Sequence, residues 1–471
     1  MDRGWKRGGG EDAREHRGGF QRFIEEGLMK DNVIELAPDR VAILTEVDIA
    51  DCFAEQHHNE LRYVSEWGRW MRYDGQRWSK EPTLLAFDLA RQLCRELTRE
   101  SNSKQGEAKS VLSAKTVAAV ERIARADRRM AATIDQWDTD PLLLNTPGGT
   151  VDLKTGTVRP HRLDDYATKM TAVAPGGSCA LWHEFLARFT AGEKEVENFL
   201  KRVCGYCLTG DTREEALFFL FGTGGNGKGV FVHTIAGVIG DYHRSAPMEA
   251  FTASNTDRHP TELAMLQSAR LVTATETEEG KRWDESRIKT LTGRDKIEAR
   301  FMRQDFFEYV PQFKLLISGN HRPGLRSVDE AFRRRMNLIN CTVTIPKDER
   351  DPLLAEKLKS EWSGILSWMI EGCIQWQKDG LNPPAAVTSA TDDYLETEDA
   401  LGSFIDEKCA LDPNAITTVA KLWGAWQEWA KGNGEWIGSQ RRFGQKLEDR
   451  GFKRLRDEKG QRAHRGLTLP L

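Results

Sequence analysis

Gly222-Thr-Gly-Gly-Asn-Gly-Lys-Gly229 stands between an apolar run, Ala216 to Phe221, and a second apolar stretch that opens at Val230. Glycines at this density let successive backbone N–H groups converge on one point, and a lysine among them adds a positive charge. The combination suits the phosphates of a nucleoside triphosphate, with ATP and Mg²⁺ as the expected cofactors. The residues expected to line that site are Gly222, Thr223, Gly224, Gly225, Asn226, Gly227, Lys228, Gly229 and Val230. The position after the lysine usually carries Ser or Thr, whose hydroxyl ligates Mg²⁺, but here it is Gly229. The metal is therefore expected on ATP oxygens, water and an acid elsewhere in the chain.

Arg270 to Gly280 supplies the acids, because its apolar strand runs directly into Glu276, Glu278 and Glu279. Glu276 is the expected metal-linked carboxylate, and Glu278 or Glu279 would polarise the attacking water. A solvated acidic strand end is the plainer alternative. A third apolar run, Phe313 to Gly319, ends in Asn320, an amide that could orient water or sense the γ-phosphate, or simply make a turn. Lys228 to Glu276 is 48 residues (276 − 228) and Glu276 to Asn320 is 44 (320 − 276), so loop, acid and amide recur at three regularly spaced strand ends. Thirteen residues past Asn320 (333 − 320) comes Arg333-Arg-Arg335. Arg334 or Arg335 could reach the γ-phosphate held by a neighbouring subunit, against the alternative of a solvated charge run. Between acid and amide, Lys289, Arg294, Lys296, Arg300 and Arg303 are interleaved with Phe301 and followed by Phe306. A hairpin of that composition could grip DNA phosphates while an apolar ring touches bases or sugars; an ordinary connecting hairpin is the alternative.

These side chains need strands alternating with helices, an α/β core placed from about residue 210 to 380. Ahead of it, residues 46–209 read as a mainly helical accessory domain with strands near Leu61 to Val64, around an Asp74-Gly75 turn, and from Gly149 to Gly156. Residues 1–45 read as a mobile arm, and Pro383-Pro384 marks a connector over 381–398. Residues 399–471 show a helix, a helix and a basic hairpin, the order of a winged helix. From Ser439 to Gly466 ten Lys and Arg face four acids, a local +6 in a chain of net charge −4. Arg441, Arg442, Lys453 and Arg454 are the expected duplex contacts there, unless the face is merely solvated.

At 471 residues the chain should hold two to four domains, and its −4 charge excludes a uniformly basic nucleic-acid coat protein. No apolar stretch reaches the roughly 18 residues of a membrane span, and the charged, glycine-rich start lacks a signal-peptide core. A soluble, intracellular protein without a membrane partner is expected. Of eight cysteines the one close pair, Cys204 and Cys207, repeats with Val196, Phe199, Leu200 and Val203 at helical spacing. Buried helix thiols are the better reading than zinc or redox chemistry.

The chain resembles the superfamily 3 helicases of phage and plasmid primase-helicase proteins, related to the poxvirus replication NTPase. The resemblance rests on Gly224-Gly-Asn-Gly-Lys228, the strand ending in Glu276, Lys289-Thr-Leu-Thr-Gly293, Pro311 to Asn320 and Arg334-Arg335. It extends upstream to Asp140 to Asn145, Gly149 to Gly156 and Cys204 to Gly210. Glycine is frequent in that family where Gly229 stands. The resemblance also implies the bacterial cytoplasm as location and a phage or mobile element as source. The resemblance implies an AAA+-like P-loop core and a homo-hexameric ring that hydrolyses ATP between subunits and moves on single-stranded or forked DNA. It implies that Lys228 grips phosphate, Glu276 serves metal and water, Asn320 senses, Arg334 or Arg335 acts across the interface, and Lys289 with the following hairpin contacts DNA. Larger relatives carry a polymerase-like primase domain, for which the stretch before the accessory domain is too short, so a separately encoded primase is an expected partner. The competing readings are an ATP-switched initiator or loader that melts an origin without processive unwinding, and a small-molecule P-loop kinase.

Overall fold

The computed structural model describes residues 45–470 apart from 101–104, 254–260, 276–280, 303–304, 326–328, 399 and 436. The chain divides into two compact units, one taking in Ala86–Ala124 and the chain up to Ala54, the other Glu55–Leu85 and everything from Arg125. The first unit is helical: α1 (Glu46–His57), α2 (Leu85–Glu100), α3 (Gln105–Val111) and α4 (Ala114–Ala124). Thr45 and Asp48 open α1 by exchanging backbone-to-side-chain hydrogen bonds of 2.9 and 3.3 Å, which satisfies amides that a helix start leaves bare. On α2 Ala90, Leu93, Cys94 and Leu97 are buried, the one-sided spacing of an amphipathic helix.

The second unit begins with β1 (Leu61–Val64), β2 (Arg69–Tyr73), β3 (Trp78–Lys80) and β4 (Ala131–Ala132), ordered β3-β2-β1-β4. The expected Asp-Gly turn joins β2 to β3: the Asp74 carboxylate accepts from the amides of Gln76 and Arg77, both at 2.8 Å, and Gly75 takes φ +93°. An antiparallel meander follows, β5 (Leu143–Thr146), β6 (Gly149–Asp152) and β7 (Thr157–Arg159), and then helices α5 (Ala180–Phe189) and α6 (Lys194–Cys207).

The central sheet is parallel throughout. Its strands are β8 (Leu217–Phe221), β9 (His243–Ser245), β10 (Leu271–Thr275), β13 (Lys314–Gly319) and β14 (Met336–Asn340), in the order β14-β8-β13-β10-β9. Counted along the chain that order is 5-1-4-3-2. Helix α7 (Lys228–Ile239) follows β8, α8 (Thr261–Ala264) precedes β10, and α9 (Glu285–Thr292) leads into the antiparallel hairpin of β11 (Ile297–Ala299) and β12 (Phe307–Tyr309). Strands buried on both faces should be apolar without interruption, and Leu217-Phe-Phe-Leu220 meets that requirement. Phe218 and Leu220 face a core shared with α6, α7, α11 (Leu354–Lys359) and α12 (Trp362–Asp379). Leu217 and Phe219 face a second core with Trp283, Ile288 of α9 and Phe332 of α10 (Glu330–Arg333).

Helices α6 and α12 touch backbone to backbone: a Cβ on Gly205 would overlap the amide of Cys373, and one on Gly372 would overlap the carbonyl of Lys201. The Cys204 and Cys207 thiols lie buried on α6, as their helical spacing indicates, and burial raises both pKa values, that of Cys207 to about 12.

Residues 381–398 are not the connector expected from Pro383-Pro384. Pro384 stands at the N-cap of α13 (Ala385–Thr397), whose Val387, Ala390, Thr391, Tyr394 and Leu395 are buried and which packs on β14. Proline is tolerated where a helix begins, so the pair marks a start and not a break. Beyond it lie α14 (Ala400–Lys408), β15 (Ala410–Thr418), α15 (Val419–Gly432), α16 (Gln440–Asp449), β16 (Arg454–Arg456) and β17 (Arg462–Thr468). The two helices and the hairpin stand where the periodicity puts them. Strand β15 is an addition that completes an antiparallel sheet, β15-β17-β16, over a core of Phe404, Leu422, Trp426, Trp429 and Phe443. No helix among the described residues is long and apolar enough to cross a membrane.

Candidate functional site

Sheet register aligns the ends that carry the expected chemistry. Phe221 pairs with Gly319 on one side and Asn340 on the other, and Ser318 pairs with Thr275. The residues that follow β8, β13 and β14 therefore emerge at one edge, at the carboxyl ends of a parallel sheet, where open α/β sheets bind ligands. The loop after β8 turns through Gly224, Gly225 and Gly227 at φ +104°, +68° and +86°, conformations that L side chains rarely adopt. Gly222 is required for another reason: a Cβ there would overlap the Asn226 amide and the Cys341 carbonyl. Gly229 faces open space and has neither constraint.

Lys228 is the first residue of α7, and its side chain folds back into the loop. Its Nζ donates to Gly222 O at 2.6 Å, Asn226 Oδ1 at 3.0 Å and Asn320 Oδ1 at 3.1 Å. Loop lysine and strand-end amide, 92 residues apart, are thus brought into direct contact. Asn226 is itself fixed by donating to Cys341 O at 3.1 Å, just past the end of β14. Burial lowers the Lys228 pKa. Among the described residues the lysine's hydrogen-bond partners are neutral oxygens, and an ammonium so held in a partly dry site gains strongly from an arriving anion. Beside the loop a cavity of about 160 Å³ opens between Phe189, Thr190 and Glu193 on one wall and Asn340, Cys341 and Val387 on the other.

Arg350 was not singled out from the sequence. The segment after β14 returns to the loop, with Ile345 N donating to Gly225 O at 2.8 Å. Arg350 Nε donates to Ile345 O at 2.9 Å, and its guanidinium lies where a Cβ on Gly225 would stand. Its run, Lys347-Asp-Glu-Arg-Asp351, reads as a solvated charged loop, and only the strand-to-loop return distinguishes it.

Glu276, Glu278, Glu279 and Arg303 lie outside the described residues. Of the arginine pair, Arg335 is turned inward: its side chain, 8% exposed, pairs with Glu215 and donates to Thr292 Oγ1 at 3.1 Å and Ala331 O at 2.6 Å. That position is occupied by fold-holding contacts. Arg334 is 60% exposed, with one 3.1 Å contact to the same Glu215. Lys289 is on helix α9 and not in the hairpin, and it pairs with Asp329 at 2.6 Å. Arg294 is exposed and donates to Arg213 O at 3.0 Å, Lys296 faces Glu308 across the hairpin at 3.4 Å, and the Arg300 guanidinium lies 4.5 Å from the Phe306 ring centroid. Arg441, Arg442, Lys453 and Arg454 are all exposed, on α16 and at the start of β16, and Arg454 reaches Glu448 at 3.5 Å.

A mixed α/β fold with a parallel sheet, a glycine loop leading into a helix and a strand-end amide on the loop lysine are consistent with an NTPase-like core. Comparison with known proteins narrows this. Residues 50–191 match the family described as "D5 N terminal like", and residues 220–335 match a "Family of unknown function (DUF5906)". "Putative helicase L207/L206" of Acanthamoeba polyphaga mimivirus is 26% identical over 263 residues, 51% of this chain and 27% of that protein. "Putative helicase 022R" of Frog virus 3 is 24% identical over 334 residues, 65% of this chain and 32% of that protein. The chain thus spans about a third or less of the length of these relatives. A solved structure, the A form apo structure of NrS-1 C terminal region-CTR, aligns at TM-score 0.51 and 10% identity over 91% of this chain and all of the other, a likeness of fold. Together these likenesses make the chain similar to proteins of the phage-type primase-helicase kind.

Proposed function

We propose that this chain is the ATP-driven motor of a DNA helicase, a P-loop core of AAA+-like, superfamily 3 type that works as a hexameric ring. The observation that carries the reading is the direct contact of Lys228 with Asn320 at the aligned ends of β8 and β13. In this reading the loop amides and Lys228 take the β- and γ-phosphates, and the three oxygens now on the ammonium yield to them. Asn320, released from the lysine, turns to the γ-phosphate or the attacking water. Arg350 adds a second cation from the same subunit, and the base enters the cavity beside Phe189 and Cys341. The arginine acting across a subunit interface is Arg334, since Arg335 is committed to Glu215. Mg²⁺ fits a site without a loop hydroxyl if ATP oxygens, water and Glu276 hold it. The hairpin bearing Lys296, Arg300 and Phe301 contacts single-stranded DNA. The C-terminal helices with their three-stranded sheet act as a winged helix that presents Arg441, Arg442, Lys453 and Arg454 to duplex DNA.

The test is ATP hydrolysis with and without single-stranded DNA, together with strand displacement on a forked duplex. Stimulation by DNA, displacement of the strand, and loss of both in Lys228→Ala are expected. Hydrolysis indifferent to DNA would count against the reading. DNA-stimulated hydrolysis without displacement would favour an initiator or loader.

A further inference from the structure

A second cleft, of about 400 Å³, lies on the same compact unit away from the phosphate loop. Its walls come from segments far apart in sequence. Trp67 belongs to the β1–β2 turn, Trp137 and Asp138 follow β4, and Lys169 lies between β7 and α5. Arg244 stands on β9 and Phe301 on the hairpin. None of these was grouped by any spacing in the sequence.

The aromatic side is built and not incidental. Trp137 is buried to 7% exposure, packed edge-on against Trp78 at 5.6 Å and Tyr166 at 5.2 Å, and its ring lies 5.9 Å from that of the half-buried Trp67. Its Nε1 is a buried donor with no acceptor among the described residues. A donor in that condition is unfavourable until something accepts from it. Phe301 is braced by stacking on Phe307 at 5.7 Å and stays partly exposed.

The polar side is cationic in balance. The one carboxylate lining the cleft among the described residues, Asp138, is taken up by the backbone amide of Thr168 at 2.7 Å and by the Thr168 hydroxyl. Arg244 uses one amino group on the carbonyls of His243 and Asp241, at 2.8 and 3.4 Å. The Lys169 backbone is anchored through its carbonyl, which accepts from Asn145 Nδ2 at 3.1 Å. Burial lowers the pKa of its ammonium, the state of a cation short of solvation.

Flat rings beside two cations, with a spare indole donor, match a nucleotide: a base to stack, a base-edge or sugar oxygen to accept, and a phosphate to pair. We propose that this cleft binds a nucleotide unit, with the base between Trp67 and Phe301 and the phosphate on Lys169 and Arg244, and that the unit comes from single-stranded DNA passing the hairpin. The assignment to DNA rests on the helicase reading, because Phe301 stands on the hairpin given to DNA there. The recognition chemistry does not, since a free nucleotide would satisfy the same groups.

The experiment uses the full chain with a saturating non-hydrolysable ATP analogue, so that the phosphate loop is occupied. Binding of a labelled oligothymidylate is measured by anisotropy, and binding of thymidine monophosphate by calorimetry. Trp67→Ala and Arg244→Gln are each expected to weaken the oligonucleotide about tenfold, the size of one lost stacking or phosphate contact. Lys154→Ala, an exposed lysine between β6 and β7 that does not line the cleft, provides the reference for loss of one surface cation. In the unaltered protein an oligonucleotide carrying 5-iododeoxyuridine should photocrosslink to Trp67 or Phe301, a readout that does not depend on a variant folding. Oligonucleotide binding unchanged in both variants, with crosslinks elsewhere, would overturn the cleft and leave the helicase reading standing. Monophosphate binding lost in the variants while the oligonucleotide fails to bind would support the cleft with a free nucleotide as occupant and sink the helicase reading. Absence of both ligands from the cleft overturns the proposal.

Discussion

Arg334 and Arg335 are neighbours with opposite commitments, and the contrast makes the subunit-interface reading testable one side chain at a time. Arg335 is a buried cation whose partner Glu215 is only 25% exposed, so its removal breaks a buried pair and leaves that carboxylate with the exposed Arg334 at 3.1 Å. Arg335→Ala is expected to lower the unfolding free energy by about 3 kcal/mol. Arg334→Ala should change it by less than about 0.5 kcal/mol, the range for an exposed side chain, while abolishing hydrolysis. Denaturant unfolding beside an ATPase assay separates the two effects, and Arg334→Ala hydrolysing at the normal rate would remove Arg334 from the site. The sequence could name the pair and not choose within it, because burial of Arg335 is decided by Glu215, 120 residues away. Lys228, Asn226 and Asn320 were legible because the motif is local and the strand ends are evenly spaced. Arg350 was not, since its place depends on the chain after β14 returning to Gly225.

At the level of elements, α6 and α12 cross where glycines remove the side chains that would hold them apart. The Cβ of Gly205→Ala would meet the backbone of Gly372 and Cys373, which cannot rotate away as a flexible side chain could. The substitution should destabilise by about 3 kcal/mol, at the upper end for overpacking, and lower the thermal midpoint accordingly. Gly424→Ala on α15 is the matched control. It is also a helix-interior glycine, but its Cβ would meet open space, so a gain of about 0.5–1 kcal/mol is expected from helix propensity. Equal effects in the two variants would refute the close crossing. Helix periodicity could identify α6 as amphipathic, but the approach of another helix to one glycine is not a local signal. The same limit explains α13: Pro383-Pro384 is as good a loop marker as a helix start, and only packing on β14 decides between them. It also explains β15, where Pro413 falls at a register shift between Asp412 and Ile416 and hides the strand.

Across the whole molecule, one buried cation ties the central sheet to the chain that enters it. Lys314 begins β13 and is 1% exposed; its ammonium donates to the carbonyls of Thr209, Asp211 and Gln312, with the Tyr206 ring centroid 4.8 Å from Nζ. Those contacts favour the charged form, yet burial outweighs them and lowers the pKa from 10.5 to about 7. Between pH 7 and 10.5 the unfolded chain therefore holds a proton that the folded protein has released. Because the unfolded state binds more protons there, unfolding free energy rises with pH, by up to about 1.4 kcal/mol per unit. Below pH 7 both states are protonated and the dependence disappears. The buried thiols act oppositely, since burial raises their pKa values, and their effect begins as unfolded cysteines ionise near pH 8.5. The clean window is pH 7 to 8.5. Lys314→Met keeps the length of the side chain and removes its titration, so stability should climb about 1.5 kcal/mol more across that window in the unaltered protein than in the variant. Urea unfolding at half-unit pH intervals measures the two slopes, and parallel slopes would show that Lys314 stays charged in the folded core.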